Sequence, residues 1–154
     1  MSAAKTVVDY LDQHAIPYAV VMHPPTPSTR DTASRTHLPP DSIAKGVVLR
    51  DGHGYVMAVL PANRYLNLHT LNRKLKRDLR LADEQTLRRM FCDCALGAIP
   101  PLGPAYGMPT VVDDHLVGQA QIYFEAGDHE ELIRVNGEQF IALLRNARYA
   151  AFTH

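Results

Sequence analysis

With 154 residues, 46% apolar and 21% charged, the chain has the composition of a globular protein with one real core. No run approaches the roughly 18 apolar residues of a membrane helix, and 16 Lys and Arg balance 16 Asp and Glu. That balance excludes a protein that coats long nucleic acid, DNA included, through bulk charge.

Ala4, Val7, Val8 and Leu11 repeat at i, i+3, i+4 and i+7, which predicts an amphipathic helix over residues 3–14. It follows so closely on Met1 that no signal peptide is expected. Ile16-Pro17 ends it, and residues 18–22 read as a short buried strand. Residues 23–40 are rich in Pro, Ser and Thr, with a short helix over 29–37 capped by Ser28 or Thr29. Residues 45–50 and 55–60 flank Asp51-Gly52-His53-Gly54 and predict a hairpin of two central, almost continuously apolar strands. Helices are expected over 68–76 and 83–90, the second capped by Asp83. Residues 91–109 read as a loop, and 110–112, 121–124 and 132–135 as strands. A last helix starts at the Asn136 cap, with Gln139 three residues on as in a capping box. Its buried face is Phe140, Ile141, Leu143, Leu144 and Ala147. Strands mixed with helices that do not alternate strictly with them predict an α+β fold, as one domain over residues 1–154.

Several segments are candidates for chemistry. Lys45, one of only four lysines against twelve arginines, opens an apolar strand. Its ammonium suits a phosphate or a developing oxyanion, and the plain alternative is a strand-edge lysine that snorkels to water. The segment Gly97-Ala98-Ile99-Pro100-Pro101-Leu102-Gly103 combines permissive glycines with rigid prolines. It reads either as a stiff loop presenting backbone N–H groups or as a connector. Together these segments suggest a small cleft, with a cation on one wall and a rigid backbone on the other. Ala126-Gly127-Asp128 reads as a ligand-facing turn or a plain strand end. Cys92-Asp93-Cys94 has poor spacing for zinc and no second ligand pair. Reduced thiols and a cytoplasmic setting are expected instead. The run Arg73-Lys74-Lys76-Arg77-Arg80 reads as a solvated helix face, with phosphate steering as the alternative.

The ordered set Ala44-Lys45-Gly46-Val47-Val48-Leu49, then residues 55–64, then residues 97–103, then Phe124-Glu125-Ala126-Gly127 resembles the YbaK/EbsC family. These are relatives of the editing domain inserted in bacterial prolyl-tRNA synthetases. The resemblance covers residues 3–148 and implies a free-standing member. The implied fold is a mixed, mostly antiparallel and partly barrel-like sheet with flanking helices. The implied activity is trans-editing: hydrolysis of the ester that joins a small wrong amino acid (alanine, serine, threonine or cysteine) to the 3′ end of a tRNA, tRNA(Pro) foremost.

The family's lysine falls on Lys45, its Gly-x-x-x-Pro loop on Gly97, Ala98, Ile99, Pro100 and Pro101, and its turn on Ala126 and Gly127. Met22, His23 and Ile99 are the expected pocket walls, and Asp113 also matches a family position. Glu125 stands where many relatives carry a small residue. The resemblance implies no metal and no organic cofactor. A lysine at its reference pKa of about 10.4 is a cation at pH 7, so a charged role is simpler than a general base. A neutral protein is expected to hold tRNA weakly at physiological salt, which leaves room for a prolyl-tRNA synthetase or elongation-factor partner. The rival reading is a non-catalytic module that binds a tRNA 3′ end or a synthetase.

Overall fold

A computed structural model describes residues 4–24, 32, 36–95 and 97–154. The expected helix over 29–37 and its caps lie mostly outside the described residues. The strands are β1 (Ala19–Met22), β2 (Ile43–Asp51), β3 (Gly54–Pro61), β4 (Arg80–Leu81), β5 (Thr110–Asp113), β6 (Gln121–Glu125), β7 (Glu131–Asn136) and β8 (Arg148–Ala150). The helices among the described residues are α1 (Lys5–Gln13), α2 (Leu68–Leu75), α3 (Glu84–Met90) and α4 (Gly137–Leu143). All eight strands join one mixed sheet in the order β1-β7-β6-β2-β3-β5-β8, with β4 paired to β2. The pairs β1–β7, β6–β7, β2–β3 and β2–β4 are antiparallel, while β2–β6, β3–β5 and β5–β8 are parallel. The architecture is α+β.

The hairpin forms the centre because both of its strands are buried on two faces. On β3, Met57 and Val59 point into one core with Ala44, Val48, Phe124 and Phe140. Val56, Ala58 and Leu60 point into a second core with Leu49, Leu71, Leu79 and Phe152. This period of two assigns every β2 side chain to a face. Ala44 and Val48 belong to the first core and Leu49 to the second. Helices α1 and α4 cover the first face, and α2 covers the second.

Local chemistry starts the helices. Asn67 accepts from Thr70 N at 3.1 Å, Asp83 from Thr86 N at 2.7 Å, and Asn136 from Glu138 N at 2.9 Å. Helix α1 has no side-chain cap of its own. Asp93, distant in sequence, accepts from Thr6 N at 3.2 Å in that role.

Three sequence readings change. Strand β1 is an edge strand rather than a buried one: among the described residues it pairs only with β7, and Val20 and Met22 are 47% and 65% exposed. The last helix stops at Leu143, so Leu144 caps its end and Ala147 packs on the core from the turn beyond. Strands β4 and β8 carry no alternating apolar signal, because Arg80, Leu81, Arg148 and Tyr149 are all exposed.

Candidate functional site

The site is built around the contact of β2 with β6. These strands run parallel, with Ile43 opposite Tyr123 and Ala44 opposite Phe124. The next residue on each strand is Lys45 and Glu125 respectively. Neighbouring strands lie about 4.8 Å apart, so the register brings the two positions side by side. Ala44 and Phe124 point into the first core, and alternation turns Lys45 and Glu125 to the opposite face. The antiparallel partner of Lys45 on β3 is Leu60, a residue of the second core, which agrees with that assignment. Lys45 is half-buried.

Glu125 is sealed, with its side chain 1% exposed. Thr32 Oγ1 donates to its Oε1 at 2.7 Å. His23 Nε2 lies 3.7 Å from Oε2, and His129 Nδ1 lies 3.9 Å from Oε1. Burial pushes the Glu125 carboxyl above its ordinary value, and Asp128 adds to the rise; Thr32, His23 and His129 oppose it. His23 Nδ1 is 2.8 Å from Pro24 O and donates there, which turns Nε2 toward Glu125. The turn after β6 holds this cluster. Gly127 has φ 110° and His129 has φ 60°, while Asp128 Oδ1 accepts from Glu130 N and Glu131 N, both at 3.0 Å.

The 97–103 loop meets the site through backbone. A Cβ on Gly46 would sit 3.2 Å from Pro101 Cα and 3.1 Å from Met57 Sδ, so the loop abuts β2 at the residue after Lys45. Pro101 therefore packs on the first-core side of β2, and the Lys45 side chain leaves from the other. Ala98, Pro100 and Pro101 are buried, Ile99 is half-buried against the core, and Gly97 is exposed with φ 83°. The N–H of Ala98 donates to Ala95 O at 3.1 Å, which leaves Gly97 and Ile99 as donors nearer the surface.

Ala95 N also donates to Gly127 O, so one residue ties the loop to the Ala126-Gly127 turn. Ala4 N donates to Ala126 O at 2.7 Å. The structure thus gathers the 97–103 loop, the turn and β2 at one end of the sheet, with His23 beneath. It does not bring in Met22, which stands exposed on β1.

Two other singled-out segments have structural work. Asp93 caps α1, and its carboxyl is held below the ordinary range: burial pushes it up, but hydrogen bonds from Thr6 and Cys94 outweigh that. Burial pushes the Cys94 thiol up to about 12, against a hydrogen bond with Tyr106, so it is no thiolate nucleophile at neutral pH. Buried Asp113 accepts from Phe152 N and Thr153 Oγ1, both at 3.1 Å, and lies 2.8 Å from His115 Nδ1. It anchors the C-terminal segment.

Sequence reasoning singled out Glu125 only as a departure and Asp128 only as part of the turn, and passed over Thr32 and His129. The available signal was an acid inside an apolar strand, on the parity opposite Phe124 and just before a glycine turn.

Residues 23–143 match the family described as the aminoacyl-tRNA editing domain. A curated relative, the prolyl-tRNA editing protein ProX of Acetoanaerobium sticklandii, is 25% identical over 93% of this chain and 98% of its own. A solved structure described as a candidate trans-editing enzyme for prolyl tRNA synthetase superposes with a TM-score of 0.83 at 23% identity, covering 100% of this chain and 98% of the other. A longer protein from Marinobacter aquaeolei VT8, described as a candidate signal transduction protein, carries the same fold in 30% of its chain, with a TM-score of 0.80, 23% identity and 96% of this chain covered. By the match over most of its length, the chain belongs to the aminoacyl-tRNA editing domain family.

Proposed function

We propose that residues 1–154 act as one trans-editing domain that cleaves the ester between a small wrong amino acid and the 3′ end of a tRNA. Editing is ester hydrolysis, so family membership makes the chain an aminoacyl-tRNA deacylase with aminoacyl-tRNA as its substrate. Relatives named for prolyl-tRNA editing favour tRNA(Pro), and alanine, serine, threonine and cysteine are the acyl groups to test.

The observation that carries the reading is the strand register that sets half-buried Lys45 beside the sealed Glu125 cluster. Water attacks the acyl carbon, its carbonyl oxygen takes up negative charge, and the bond to the ribose oxygen breaks as that oxygen gains a proton. The Lys45 ammonium stabilises the oxyanion or holds the terminal phosphate. The 97–103 loop packs against the other face of β2 at Gly46 and steadies the strand that carries Lys45. Positioning supplies much of the rate, and no protein nucleophile is required. Glu125 and His23 are too deeply buried to touch the ester, so they act as positioning residues for Lys45 and the turn. A size-limited pocket rejects larger acyl groups by only about 1–3 kcal/mol per methylene, which suits removal of small ones. The setting for this work is the cytoplasm, with a synthetase or elongation factor able to hand over the tRNA.

The test is deacylation of Ala-, Ser-, Thr- and Cys-tRNA, each on tRNA(Pro) and on its own tRNA, with Lys45→Ala beside the wild type. Hydrolysis of at least one member, lost in the variant, is expected. No hydrolysis across the panel by folded protein, with a control deacylase active, would replace this reading with a binding module.

A further inference from the structure

Two grooves meet at the hairpin end of the sheet and share Arg77. The first, of about 620 Å³, is lined by Arg50, Lys76, Arg77 and Arg80, with Asp51 and Asp78 as its acids. The second, of about 410 Å³, carries Arg77, Arg145 and Arg148 over a floor that includes Val56 and Met108. Together they hold six cations against two anions on a chain whose charges cancel overall. This end is therefore strongly positive and the rest of the molecule correspondingly negative.

The cations are arranged rather than scattered. Arg77 makes two 2.6 Å bonds to Asp51, which fixes its guanidinium where the grooves join. That same guanidinium holds the Asp51 carboxyl well below the usual carboxylate range. Arg50, Lys76, Arg80, Arg145 and Arg148 are exposed around it. Arginine fits phosphate in a bidentate fork, and a contiguous basic strip fits a phosphate backbone better than a single anion.

Helix α2, whose end feeds the first groove, covers the same sheet face from which Lys45 projects. Arg50 lies five residues along β2 from Lys45, about 17 Å at strand rise, and leaves the strand on the opposite face, with its side chain lining the groove at the hairpin end. A strand stacked at the duplex rise of about 3.4 Å per nucleotide crosses that distance in roughly five nucleotides. We propose that this basic face seats the base-paired stem adjoining the tRNA 3′ tail, an RNA duplex held by its phosphates while the tail reaches Lys45. The inference rests on the editing reading for the tail but is tested apart from it.

Binding of uncharged tRNA(Pro), and of a five-nucleotide single strand ending in CCA, is measured by fluorescence anisotropy at about 50 and 200 mM salt. The proteins are wild type, Arg50→Glu/Arg80→Glu and Arg145→Glu/Arg148→Glu, each checked for an unchanged melting temperature. All four sites are exposed, and the two pairs lie in different grooves, so a folding defect in one leaves the other decisive. Each pair is expected to weaken tRNA binding at least tenfold at the lower salt and to reduce the salt slope by about two. Binding of the single strand should stay within about twofold. Unchanged tRNA binding, or an equal loss for both RNAs, would overturn the proposal. So would displacement of tRNA by polyglutamate of equal charge as readily as by unlabelled tRNA, which would make this a general surface for acidic partners. If the wild type hydrolyses no ester, the editing reading fails while the binding comparison still decides this one.

Discussion

Lys45 and Glu125 occupy adjacent positions on parallel strands, each one residue past the paired Ala44 and Phe124. A half-buried cation and a sealed carboxyl group thus share one end of the sheet, on the face turned away from the main core.

Lys45→Ala should cut kcat/KM for the edited substrate by about 10²–10³, the usual cost of losing one oxyanion donor. Lys45→Arg keeps the charge but changes its shape, and should lose at least about tenfold. Deacylation kinetics read both. Wild-type rates in either folded variant would remove Lys45 from the reaction.

Glu125→Gln should show a stability advantage that grows with pH. The folded carboxyl titrates above its ordinary value because it is buried, with Asp128 adding to the rise and Thr32, His23 and His129 resisting it. The stability from its neutral form is complete below the ordinary value, near 4.3, and is lost as pH rises through the raised one. The amide never ionises, so the variant should gain on wild type as pH rises above the ordinary carboxyl value. Urea midpoints at several pH values measure this; a difference that shrinks as pH rises would reverse the assignment.

Gly46→Ala should destabilise by about 1–3 kcal/mol, the range for overpacking a filled site. Met57 can shift its flexible end, but the Pro101 backbone cannot, and the new Cβ would press on it at 3.2 Å. Because the loop would move, activity should fall more than stability alone accounts for. Denaturation paired with kinetics separates the two effects.

Asp113→Ala should cost about 2–4 kcal/mol. It removes a buried acceptor from Phe152 N, Thr153 Oγ1 and His115, and bonds to a charged group contribute about 1.5–3 kcal/mol each before relaxation. Amide exchange at Phe152 should accelerate with the loss. An unaltered exchange rate would contradict the anchoring role.

Thiol labelling at neutral pH should modify exposed Cys92 and spare Cys94, whose thiol is pushed up to about 12 by burial. Labelling should leave deacylation within about twofold. Rapid reaction of both cysteines would show that Cys94 opens to solvent.

Much of the fold was legible because strong local signals agreed with it. The hairpin, the Asp83 and Asn136 caps and the strands beginning at Thr110 and Gln121 all stand where apolar runs and capping residues put them. Strands β4 and β8 were not legible, because an exposed edge strand needs only backbone partners. Strand β1 looked buried because Val20, Val21 and Met22 are apolar, yet its burial depends on neighbours that the sequence does not place. Lys45, the 97–103 loop and the Ala126-Gly127 turn were legible as motifs. The His23–Glu125–His129 grouping was not, since His23 reaches Glu125 from about a hundred positions away through the antiparallel pairings of β1 with β7 and of β7 with β6.

The C-terminal segment closes the second core late. Phe152 fills it, Thr153 bridges to Leu66, His154 exchanges two backbone bonds with Tyr65, and β8 adds the last strand beside β5. During synthesis these bonds cannot form until residue 154 has been made and has cleared the ribosome. With roughly 5–20 residues added per second, the hairpin and α2 wait several seconds with one apolar face uncovered. A chaperone that shields nascent apolar surface would have its longest contact with this face, and a substitution that empties the Phe152 site would prolong that contact.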